Sequence, residues 1–323
     1  MTITRREFVK WMAVSTGAAA VAGCAGMGGS SAGRVVVIGG GFGGATAARY
    51  LKLWAPNIDV TVIERNETFV SCPMSNLVLG GNTQIGNITL SYEGLRKRGV
   101  NIVRDEAVAV DAGARQVRLG SGKTLPYDRL IVSPGIDFLY DPIPGLKSPD
   151  AQERVLHAWK AGPQTVALRK QLEAMPDGGV FVFHIPMAPY RCPPGPYERV
   201  CQVADYFTKA KPKSKIIVLD SNPDIVSKKG LFLAAWNGMY KGMIDYRPNS
   251  ELADVDAKGM TVKLTFDRGE GDVLNGVPPP GAGKIARQAG RVPGSQRRCG
   301  GGSRTLGYYA ATGGDVRAEY QAM

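Results

Sequence analysis

The chain has 323 residues, a hydrophobic content of 44% and a formal net charge of +12, which suits roughly two globular domains with packed cores and excludes a chain disordered throughout. No basic stripe interleaved with aromatic residues and no zinc-ligand spacing accompanies the charge, so we expect neither nucleic acid as a partner nor a metal site. An anionic surface, an acidic partner protein or an anionic substrate remains open.

The first 32 residues predict a twin-arginine export signal. Arg5 and Arg6 precede Phe8 and Lys10, and the alanine-rich run behind them is too short to cross a bilayer. The run ends in V-A-G-C, where Cys24 resembles the lipidated cysteine of an exported lipoprotein. Cleavage among the small residues that follow is the alternative. Either route predicts a periplasmic protein, with a lipid anchor at Cys24 in the first case.

Residues 34–64 predict the first unit of a dinucleotide-binding domain. The β-branched runs at 35–38 and 60–63 are typical of buried strands, and the spacing of apolar residues over 45–53 predicts a helix between them. The order strand, turn, helix, strand is that of a βαβ unit.

The turn of this unit carries the motif G-x-G-x-x-G. Gly39 permits a tight turn, Gly41 lets the backbone approach a pyrophosphate, and Gly44 allows the helix to pack closely on the strand. Glu64 follows the second strand, where an acidic side chain binds the adenosine ribose. Because strand, helix and acid accompany the glycines, we predict a dinucleotide site here.

The stretch SCPMSNLVLGG, residues 71–81, contains a lone cysteine, Cys72. A buried hydrophobe, a redox thiol and a cofactor attachment point are all open for it. Further along, a predicted buried strand at 130–132 ends in Ser133 and Gly135. This pattern closes the first domain of flavoproteins with two dinucleotide domains and favours FAD as the ligand.

A second strand-turn-helix-strand unit is predicted from strands at 180–184 and 216–220 and a helix at 197–210. Its turn holds five prolines instead of glycines. Proline has no N–H to donate and its φ is restricted, so this turn cannot cradle a pyrophosphate. The unit therefore resembles a nicotinamide domain that no longer binds nicotinamide.

Cys192 lies in this proline-rich turn, next to Arg191 and just before the predicted helix. A helix N-terminus and a neighbouring cation both favour the thiolate, so we expect a lowered pKa for Cys192. The alternative is a small buried residue in a rigid turn. Cys201, inside the helix, is predicted to be a core residue, with metal or disulfide chemistry as the alternative, and His157 and His184 to be structural histidines.

Several stretches resemble one family. RVVVIGGGFGGATAARYLK, TFVSCPMSNLVLGG, YDRLIVSPGI, RCPPGPYERVCQVADY and KPKSKIIVLDSN are similar, in collinear order, to the flavoprotein subunit of flavocytochrome c sulfide dehydrogenase. That family belongs with the sulfide:quinone oxidoreductases among the disulfide-reductase-like flavoproteins. The resemblance implies an α/β fold with two Rossmann-like dinucleotide-binding domains, over 33–150 for FAD and over 151–290 as a degenerate nicotinamide-type domain.

The resemblance also implies the cofactor and its attachment. FAD would be held through a thioether between the sulfur of Cys72 and the 8α-methyl of the flavin. The cofactor-binding residues implied in this way are Gly39, Gly41, Phe42, Gly43, Gly44, Glu64, Arg65, Cys72, Val108, Ser133 and Gly135.

Cys192 matches the first cysteine of the family's redox pair and is implied to be catalytic. Hydrosulfide would attack the disulfide and leave a persulfide, and the other thiolate would pass the electron pair to the flavin. Because this sequence has no C-x-x-C-H motif, the electrons are expected to go to a haem on a separate c-type cytochrome subunit.

Residues 291–323 do not resemble the family. They are rich in glycine and arginine, lack apolar periodicity and are predicted to be disordered. The C-terminal domain and second redox cysteine of the family are not visible, and the surroundings of Cys299 do not match them. We therefore expect a truncated or frameshifted chain.

Two other functions remain open. The chain could be a non-catalytic remnant that still binds FAD, or an exported NADH- or quinone-type flavin reductase. The proline-rich turn argues against the second of these.

Overall fold

The computed structural model describes residues 31–288 and 316–317, so the predicted export signal, Cys24 and Cys299 lie outside the described residues. The helices span Phe42–Trp54 (α1), Ser75–Leu79 (α2), Glu93–Arg96 (α3), Pro149–Arg154 (α4), Pro163–Ala174 (α5), Gly195–Ala210 (α6), Lys229–Asn237 (α7) and Lys284–Gln288 (α8). Single 3-10 turns occur at Ile85–Ile88 and Pro144–Leu146. Among these residues, no helix has the length and apolar character needed to span a membrane.

The strands of the first half span Arg34–Ile38 (β1), Asp59–Glu64 (β2), Thr68–Val70 (β3), Thr89–Ser91 (β4), Val100–Arg104 (β5), Ala107–Asp111 (β6), Gln116–Leu119 (β7), Thr124–Pro126 (β8), Arg129–Val132 (β9) and Ile136–Phe138 (β10). Those of the second half span Val180–Ile185 (β11), Lys215–Asp220 (β12), Ile244–Arg247 (β13), Leu252–Asp256 (β14), Thr261–Leu264 (β15), Arg268–Glu270 (β16), Val273–Gly276 (β17), Pro280–Ala282 (β18) and Val316–Arg317 (β19). The predicted α/β class is confirmed.

The first domain is built on a parallel sheet with strand order β19-β9-β1-β2-β5. In its register Val37 lies opposite both Val62 and Ile131. The apolar run of β1 is buried on both faces, as expected for a central parallel strand. Because β2 and β9 pair with opposite edges of β1, a crevice opens at its carboxyl end, where α/β sheets bind ligands.

The second domain repeats this plan with a parallel sheet of order β13-β12-β11-β17. Helix α6 follows β11, and its apolar stripe of Val200, Val203 and Phe207 packs on Phe181 and Phe183 of that strand. The βαβ unit predicted from the sequence is therefore present.

Short antiparallel sheets complete the fold. β18 pairs with β10, and Ile285 and Ala286 of α8 lie in the same core cluster as Ile38 and Leu130. Residues 280–288, which the sequence places in the second domain, thus pack on the first. β19 adds two residues beside β9 within the stretch expected to be disordered, and the remainder of 291–323 lies outside the described residues.

Candidate cofactor and cysteine site

The glycine turn after β1 is as tight as the motif predicts. Gly39 has a φ of 97°, and a Cβ there would lie 2.1 Å from the carbonyl oxygen of Ser133. A Cβ on Gly44 would lie 1.9 Å from the carbonyl oxygen of Gly39. Around a Cβ on Gly41, by contrast, no atom lies within 4 Å. Two glycines are therefore required for packing, and the third leaves open space.

Helix α1 begins next to this open space. Gly41 is its N-cap, without a side-chain cap, and the first turn contains no acidic residue. Phe42 and Gly43 open the helix, and the exposed ring of Phe42 lies edge-on to Phe69 at 4.9 Å. The backbone N–H groups and positive potential of this helix end suit a phosphate.

Glu64 lies at the carboxyl end of β2, beside the turn. One carboxylate oxygen accepts from the backbone N–H of Gly40 at 2.8 Å, and the other accepts from the backbone and side chain of Asn66 at 2.8 and 2.7 Å. The Tyr92 hydroxyl lies against Gly40, where a Cβ would be 2.8 Å away. Burial and the charge of Glu64 raise the pKa of Tyr92. The sequence did not single out Tyr92, because nothing local relates it to the turn.

A cleft of about 220 Å³ lies at this edge of the first sheet. It collects four of the residues predicted to bind the cofactor, namely Gly39, Glu64, Arg65 and Val108. Arg65 also lies 3.6 Å from Glu106 across the cleft. The sequence analysis missed Asp137 and Lys160, which line the cleft as an ion pair at 3.1 Å.

The segment after β9 reaches the cleft through Pro134 and Ile136. Ser133 is buried, and its Oγ has no hydrogen-bond partner among the described residues. Gly135 has a φ of 76° and accepts from the N–H of Gly283 at 3.0 Å. Taken with the open space at Gly41 and the uncapped helix, the unpartnered hydroxyl shows that the residues present fit a dinucleotide cofactor such as FAD.

Cys72 lies between β3 and α2 and is half-buried. Its carbonyl oxygen accepts from the backbone N–H of Ser75 at 3.0 Å and from the hydroxyl at 2.7 Å. Asn76, which follows Ser75, donates from its side-chain amide to the carbonyl oxygen of Gly195 at 3.1 Å. This contact fastens the Cys72 segment to the start of α6 in the second domain.

Cys192 lies three residues before Gly195, the acceptor of the hydrogen bond from Asn76. It has a φ of 62°, and a Cβ on Gly195 would lie 2.9 Å from its Sγ, so the first residue of α6 must be glycine for the thiol to sit there. Trp159 lies 3.2 Å from the same point. The next residue, Lys160, lines the cofactor cleft. Trp159 and Lys160 therefore connect the surroundings of Cys192 with the cleft.

The expected lowering of the Cys192 pKa is wrong. Burial and the nearby charge of Glu198 raise this pKa and outweigh the Gly195 N–H and Arg191, which lower it. The Cys72 charge is a further, smaller cause of the rise, which places the two cysteines within electrostatic reach of each other. Both thiols are free in this structure.

Arg199 of α6 is a buried cation beside the Cys72 segment, and the sequence analysis missed it. It donates to Asn76 at 3.1 Å, to Asn275 at 2.8 Å, and to the carbonyl oxygens of His157 and Ala158 at 2.8 and 2.7 Å. A signal was present, because Arg199 follows the helical spacing of the apolar residues that face the core.

The second domain fills its own dinucleotide position with protein atoms. Asp220, at the carboxyl end of β12, is fully buried and accepts from Tyr197 at 2.8 Å and Tyr246 at 3.0 Å. Asn222 donates to its other oxygen and ties the proline-rich loop down through the carbonyl oxygen of Pro186. The fully buried Asp220 carboxylate accepts four hydrogen bonds within the protein and has no lone pair left for an adenosine ribose, whereas Glu64 accepts three and lines the cleft.

The remaining candidates have structural environments. The Nδ1 of His157 accepts from the N–H of Trp159 at 2.9 Å, and His184 lies 3.0 Å from Ser221. Burial lowers the pKa of the two histidines to about 3 and about 4. The sulfur of Cys201 accepts from the indole of Trp236 at 3.3 Å. Within the described part of the chain, no group of three acidic, histidine or cysteine residues could hold a metal.

Comparisons with known proteins match the two domains separately. A family model described as sulfide dehydrogenase (flavocytochrome c) flavoprotein chain, central, matches residues 165–278, and one described as pyridine nucleotide-disulphide oxidoreductase matches residues 33–173. The sulfide dehydrogenase (flavocytochrome c) flavoprotein chain of Chlorobaculum thiosulfatiphilum is 58% identical over 45 residues, which are 14% of this chain and 94% of that sequence.

More distant relatives cover more of the chain. The mitochondrial sulfide:quinone oxidoreductase of Mus musculus is 28% identical over 187 residues, 57% of this chain and 41% of the relative. The chain spans about half the length of the curated sulfide:quinone oxidoreductases it matches. The solved sulfide:quinone oxidoreductase of Aquifex aeolicus has the same fold, with a TM-score of 0.69 and 19% identity over 83% of this chain and 64% of that one. The chain therefore belongs to the family of sulfide dehydrogenase (flavocytochrome c) flavoprotein chains and has the pyridine nucleotide-disulphide oxidoreductase fold, as the sequence resemblance predicts.

Proposed function

We propose that this chain is the FAD-binding part of an exported sulfide dehydrogenase, with the flavin attached covalently to Cys72 and hydrosulfide oxidised at Cys192. One observation carries the proposal. Cys72 and Cys192, far apart in the sequence, lie on two segments that the hydrogen bond from Asn76 to Gly195 joins, and the charge of Cys72 acts on Cys192.

Different residues of the chain would bind different parts of FAD. The turn at Gly39 and Gly41 and the start of α1 would receive the pyrophosphate, and Glu64 the ribose. Cys72 would hold the flavin through an S–C bond that replaces its S–H bond and one C–H bond of the flavin methyl group. The two protons would leave to solvent, and an acceptor such as dioxygen would take the electron pair. Bound FAD supplies a two-electron acceptor that can return electrons one at a time.

Cys192 is the residue proposed to take up sulfide sulfur. An S–S bond forms between hydrosulfide and the Cys192 sulfur as the thiol loses its proton, and an electron pair is released for which bound FAD would be the acceptor. Because burial and Glu198 raise the Cys192 pKa, the thiol is the resting form, and its proton must leave before the bond forms. A disulfide between Cys192 and a second cysteine is the other starting state; no cysteine among residues 31–288 is bonded to Cys192.

The electron acceptor is proposed to be a c-type cytochrome subunit, in line with the name of the matching family. The relatives named sulfide:quinone oxidoreductases support a quinone as the alternative. NADH is disfavoured as a donor because Tyr197 and Tyr246 already occupy the Asp220 carboxylate. The export signal and Cys24 lead us to propose a periplasmic location, with a lipid anchor if Cys24 is acylated.

The first experiment is to purify the exported protein, denature it in acid and measure the flavin that stays with the chain by absorbance and intact mass. We expect a mass increase of one FAD in the wild type and none in Cys72→Ser. Cys201→Ser is the matched control, since Cys201 is also a half-buried free thiol but accepts from Trp236 in the core. Loss of covalent flavin in Cys201→Ser, or none in the wild type, would contradict the assignment.

Anaerobic addition of sulfide then separates the enzyme from a non-catalytic remnant. We expect the flavin absorbance to bleach in the wild type and in Cys201→Ser, and to persist in Cys192→Ser. Flavin that stays oxidised in the wild type would favour the remnant. Bleaching by NADH at the same rate would favour the NADH-type reductase.

A further inference from the structure

Helix α1 ends in a group of exposed aromatic and aliphatic side chains. Tyr50, Leu53 and Trp54 are 41%, 63% and 76% exposed, and the rings of Tyr50 and Trp54 lie 4.9 Å apart. Leu53 and Trp54 follow Tyr50 by three and four positions, so all three lie on one side of the helix. These three side chains are termed the α1 apolar surface. Single exposed apolar residues are ordinary, whereas a contiguous group is typical of an interaction site.

The α1 apolar surface lies at the edge of the first sheet opposite the cofactor turn. Strands β1, β2, β5 and β9 are parallel, so their amino ends share one edge and their carboxyl ends form the cofactor crevice at the other. Helix α1 begins after Gly41 at the crevice, and its 13 residues put about 20 Å between that turn and Trp54. A partner that binds the α1 apolar surface therefore leaves the crevice free.

The chain that carries Cys24 enters the fold at this same edge. The N–H of Ala32 donates to the carbonyl oxygen of Asn57 at 3.1 Å, and Asn57 follows Trp54 by three positions. Cys24 lies eight positions before Ala32. An extended chain advances about 3.5 Å per residue, so Cys24 can be no more than about 28 Å from Ala32. An acyl chain on Cys24 would thus tether the protein by the edge that carries the α1 apolar surface.

Basic side chains flank the α1 apolar surface. Helix α1 contributes Arg49 and Lys52 and contains no acidic residue. A Cβ on Gly99 would lie 3.2 Å from the Cε of Lys52, and the two residues before Gly99 are the exposed Lys97 and Arg98. The turn after α3 therefore brings further positive charge next to the end of α1.

The carboxylates at this edge do not cancel that charge. Glu93 is paired with Arg96 at 3.1 Å, and Asp128 is paired with Arg34 at 3.0 Å. Asp59, at the start of β2, is a third acidic residue here. Because two of the three acids already have basic partners of their own, the flanking lysines and arginines give this edge a net positive charge.

We propose that the α1 apolar surface docks on a bilayer that contains anionic phospholipid. Tryptophan and tyrosine favour the interface between headgroups and acyl chains, which suits Tyr50 and Trp54. Leu53 would enter the acyl boundary, and the flanking basic side chains would contact lipid phosphates. The inference goes beyond the proposed function and rests on its periplasmic location, but not on its sulfide chemistry. In this orientation the cofactor crevice faces away from the membrane, where a cytochrome subunit can reach it.

The test measures vesicle binding by the purified full chain. All proteins carry Cys24→Ser, so that no acyl chain contributes to binding, and Trp11→Phe. Trp159 and Trp236 are 8% and 5% exposed, so quenching of the remaining indole fluorescence by bromine-labelled lipid reports on Trp54. Co-sedimentation is compared on vesicles of equal parts phosphatidylethanolamine and phosphatidylglycerol and on vesicles of phosphatidylcholine alone.

We expect binding to the phosphatidylglycerol vesicles with quenching of Trp54, and about tenfold weaker binding to phosphatidylcholine. Leu53→Ser combined with Trp54→Ser should weaken binding to the anionic vesicles by about tenfold, because the inserted side chains are lost. Phe266→Ser is the matched control, since Phe266 is 96% exposed in the second domain, and should leave binding unchanged.

A second pair of variants tests the charge and leaves the α1 apolar surface intact. Lys97→Glu and Lys258→Glu change the net charge equally, and both lysines are exposed, but Lys258 lies in the second domain between β14 and β15. Lys97→Glu should weaken binding to the anionic vesicles by about fivefold, whereas Lys258→Glu should leave it unchanged. Equal urea midpoints confirm that the variants are folded.

Absence of vesicle binding, or equal binding with and without Leu53 and Trp54, would overturn the proposal. Equal losses in a variant and its control would do the same, since adhesion would then not depend on this surface. A dimer or a cytochrome complex that the Leu53 and Trp54 substitutions break, without vesicle binding, would assign the surface to a protein partner instead. Vesicle binding by a chain whose flavin sulfide does not bleach would contradict only the proposed function, so the two failures are distinguishable.

Discussion

At the scale of single residues, the glycines of the first turn have different physical roles. A Cβ at Gly39 or Gly44 would penetrate a carbonyl oxygen, at 2.1 and 1.9 Å respectively, whereas a Cβ at Gly41 would meet nothing within 4 Å. Gly39 and Gly44 are therefore needed for packing, and the open space at Gly41 is available to a ligand. One motif thus combines a packing requirement with a binding requirement.

Substituting these glycines separates the two requirements. Gly44→Ala should lower the free energy of unfolding by about 1–3 kcal/mol, because backbone must shift to admit the methyl group. Gly41→Ala should leave the urea midpoint of the flavin-free protein unchanged and weaken FAD binding at least tenfold, because the methyl occupies the approach of the pyrophosphate. Gly86→Ala, also with no atom within 4 Å, is the control. Full FAD binding by Gly41→Ala would contradict the role of this position.

At the scale of secondary-structure elements, α6 connects most of the site. Its first residue, Gly195, makes room for the Cys192 sulfur and accepts from Asn76, and one turn later Arg199 reaches the same amide. On another side of the helix, Tyr197 donates to Asp220 of β12. In a nicotinamide domain, the start of the equivalent helix presents N–H groups to phosphate. In this chain, the start of α6 instead carries the Tyr197 phenol and the Arg199 cation, next to the Cys192 thiol.

The Tyr197 hydroxyl should be worth a measurable part of the fold's stability. It donates to the buried carboxylate of Asp220 at 2.8 Å and accepts from the N–H of Val226 at 3.1 Å. Tyr197→Phe leaves both groups short of a partner and should lower the free energy of unfolding by about 1–3 kcal/mol in urea titrations. Tyr50→Phe, on the exposed face of α1, is the control. An equal loss in both variants would argue against the hydrogen bonds as the cause.

At the scale of the whole molecule, the site depends on the segments that connect the two parallel sheets. The cleft lies at the carboxyl edge of the first sheet, and Lys160, from the stretch between the domains, closes it together with Asp137. Residues 280–288 return to the first core and put Gly283 against the end of β9. The cofactor position is therefore assembled from parts of the chain far apart in sequence.

The stability of the whole molecule should fall as the solution becomes mildly acidic. The pKa values of His157 and His184 are lowered to about 3 and about 4 in the fold, whereas an unfolded histidine titrates near 6.5. The unfolded chain therefore binds these protons first. Stability is full above pH 6.5 and falls by up to about 1.4 kcal/mol per pH unit for each histidine as the pH drops towards 5.

Urea titrations at pH 7, 6 and 5 measure this dependence. His184→Gln should reduce the slope between pH 6.5 and 5 by about the contribution of one proton, whatever it does to stability at pH 7. Removing an exposed pair with Arg154→Gln should leave the slope unchanged, because Arg154 and Asp150 are both largely in solvent. A wild-type slope near zero would mean that the histidines can protonate within the fold.

Much of this protein could be predicted from local sequence. The run of β1, the glycine turn, α1 and β2 begin and end within three residues of their expected positions, since strand and helix periods and the glycine motif act over short distances. The family resemblance and the two functional cysteine candidates were visible for the same reason. The prolines of the second turn also predict, from their missing N–H groups, that this domain lacks a phosphate cradle.

Tertiary structure alone decided how these parts are used. The pKa of Cys192 rises because folding buries the thiol near Glu198. The sequence showed only Arg191 and the start of the helix, which act in the opposite direction, and it did not show the extent of burial. The acceptors of Arg199 come from three separate segments, and the last residues of the second unit pack on the first. The sequence by itself determined the secondary-structure elements and the fold, because these follow from local patterns. The protonation of the groups at the site was decided only by the tertiary structure, because burial, dielectric environment and long-range contacts are properties of the packed chain.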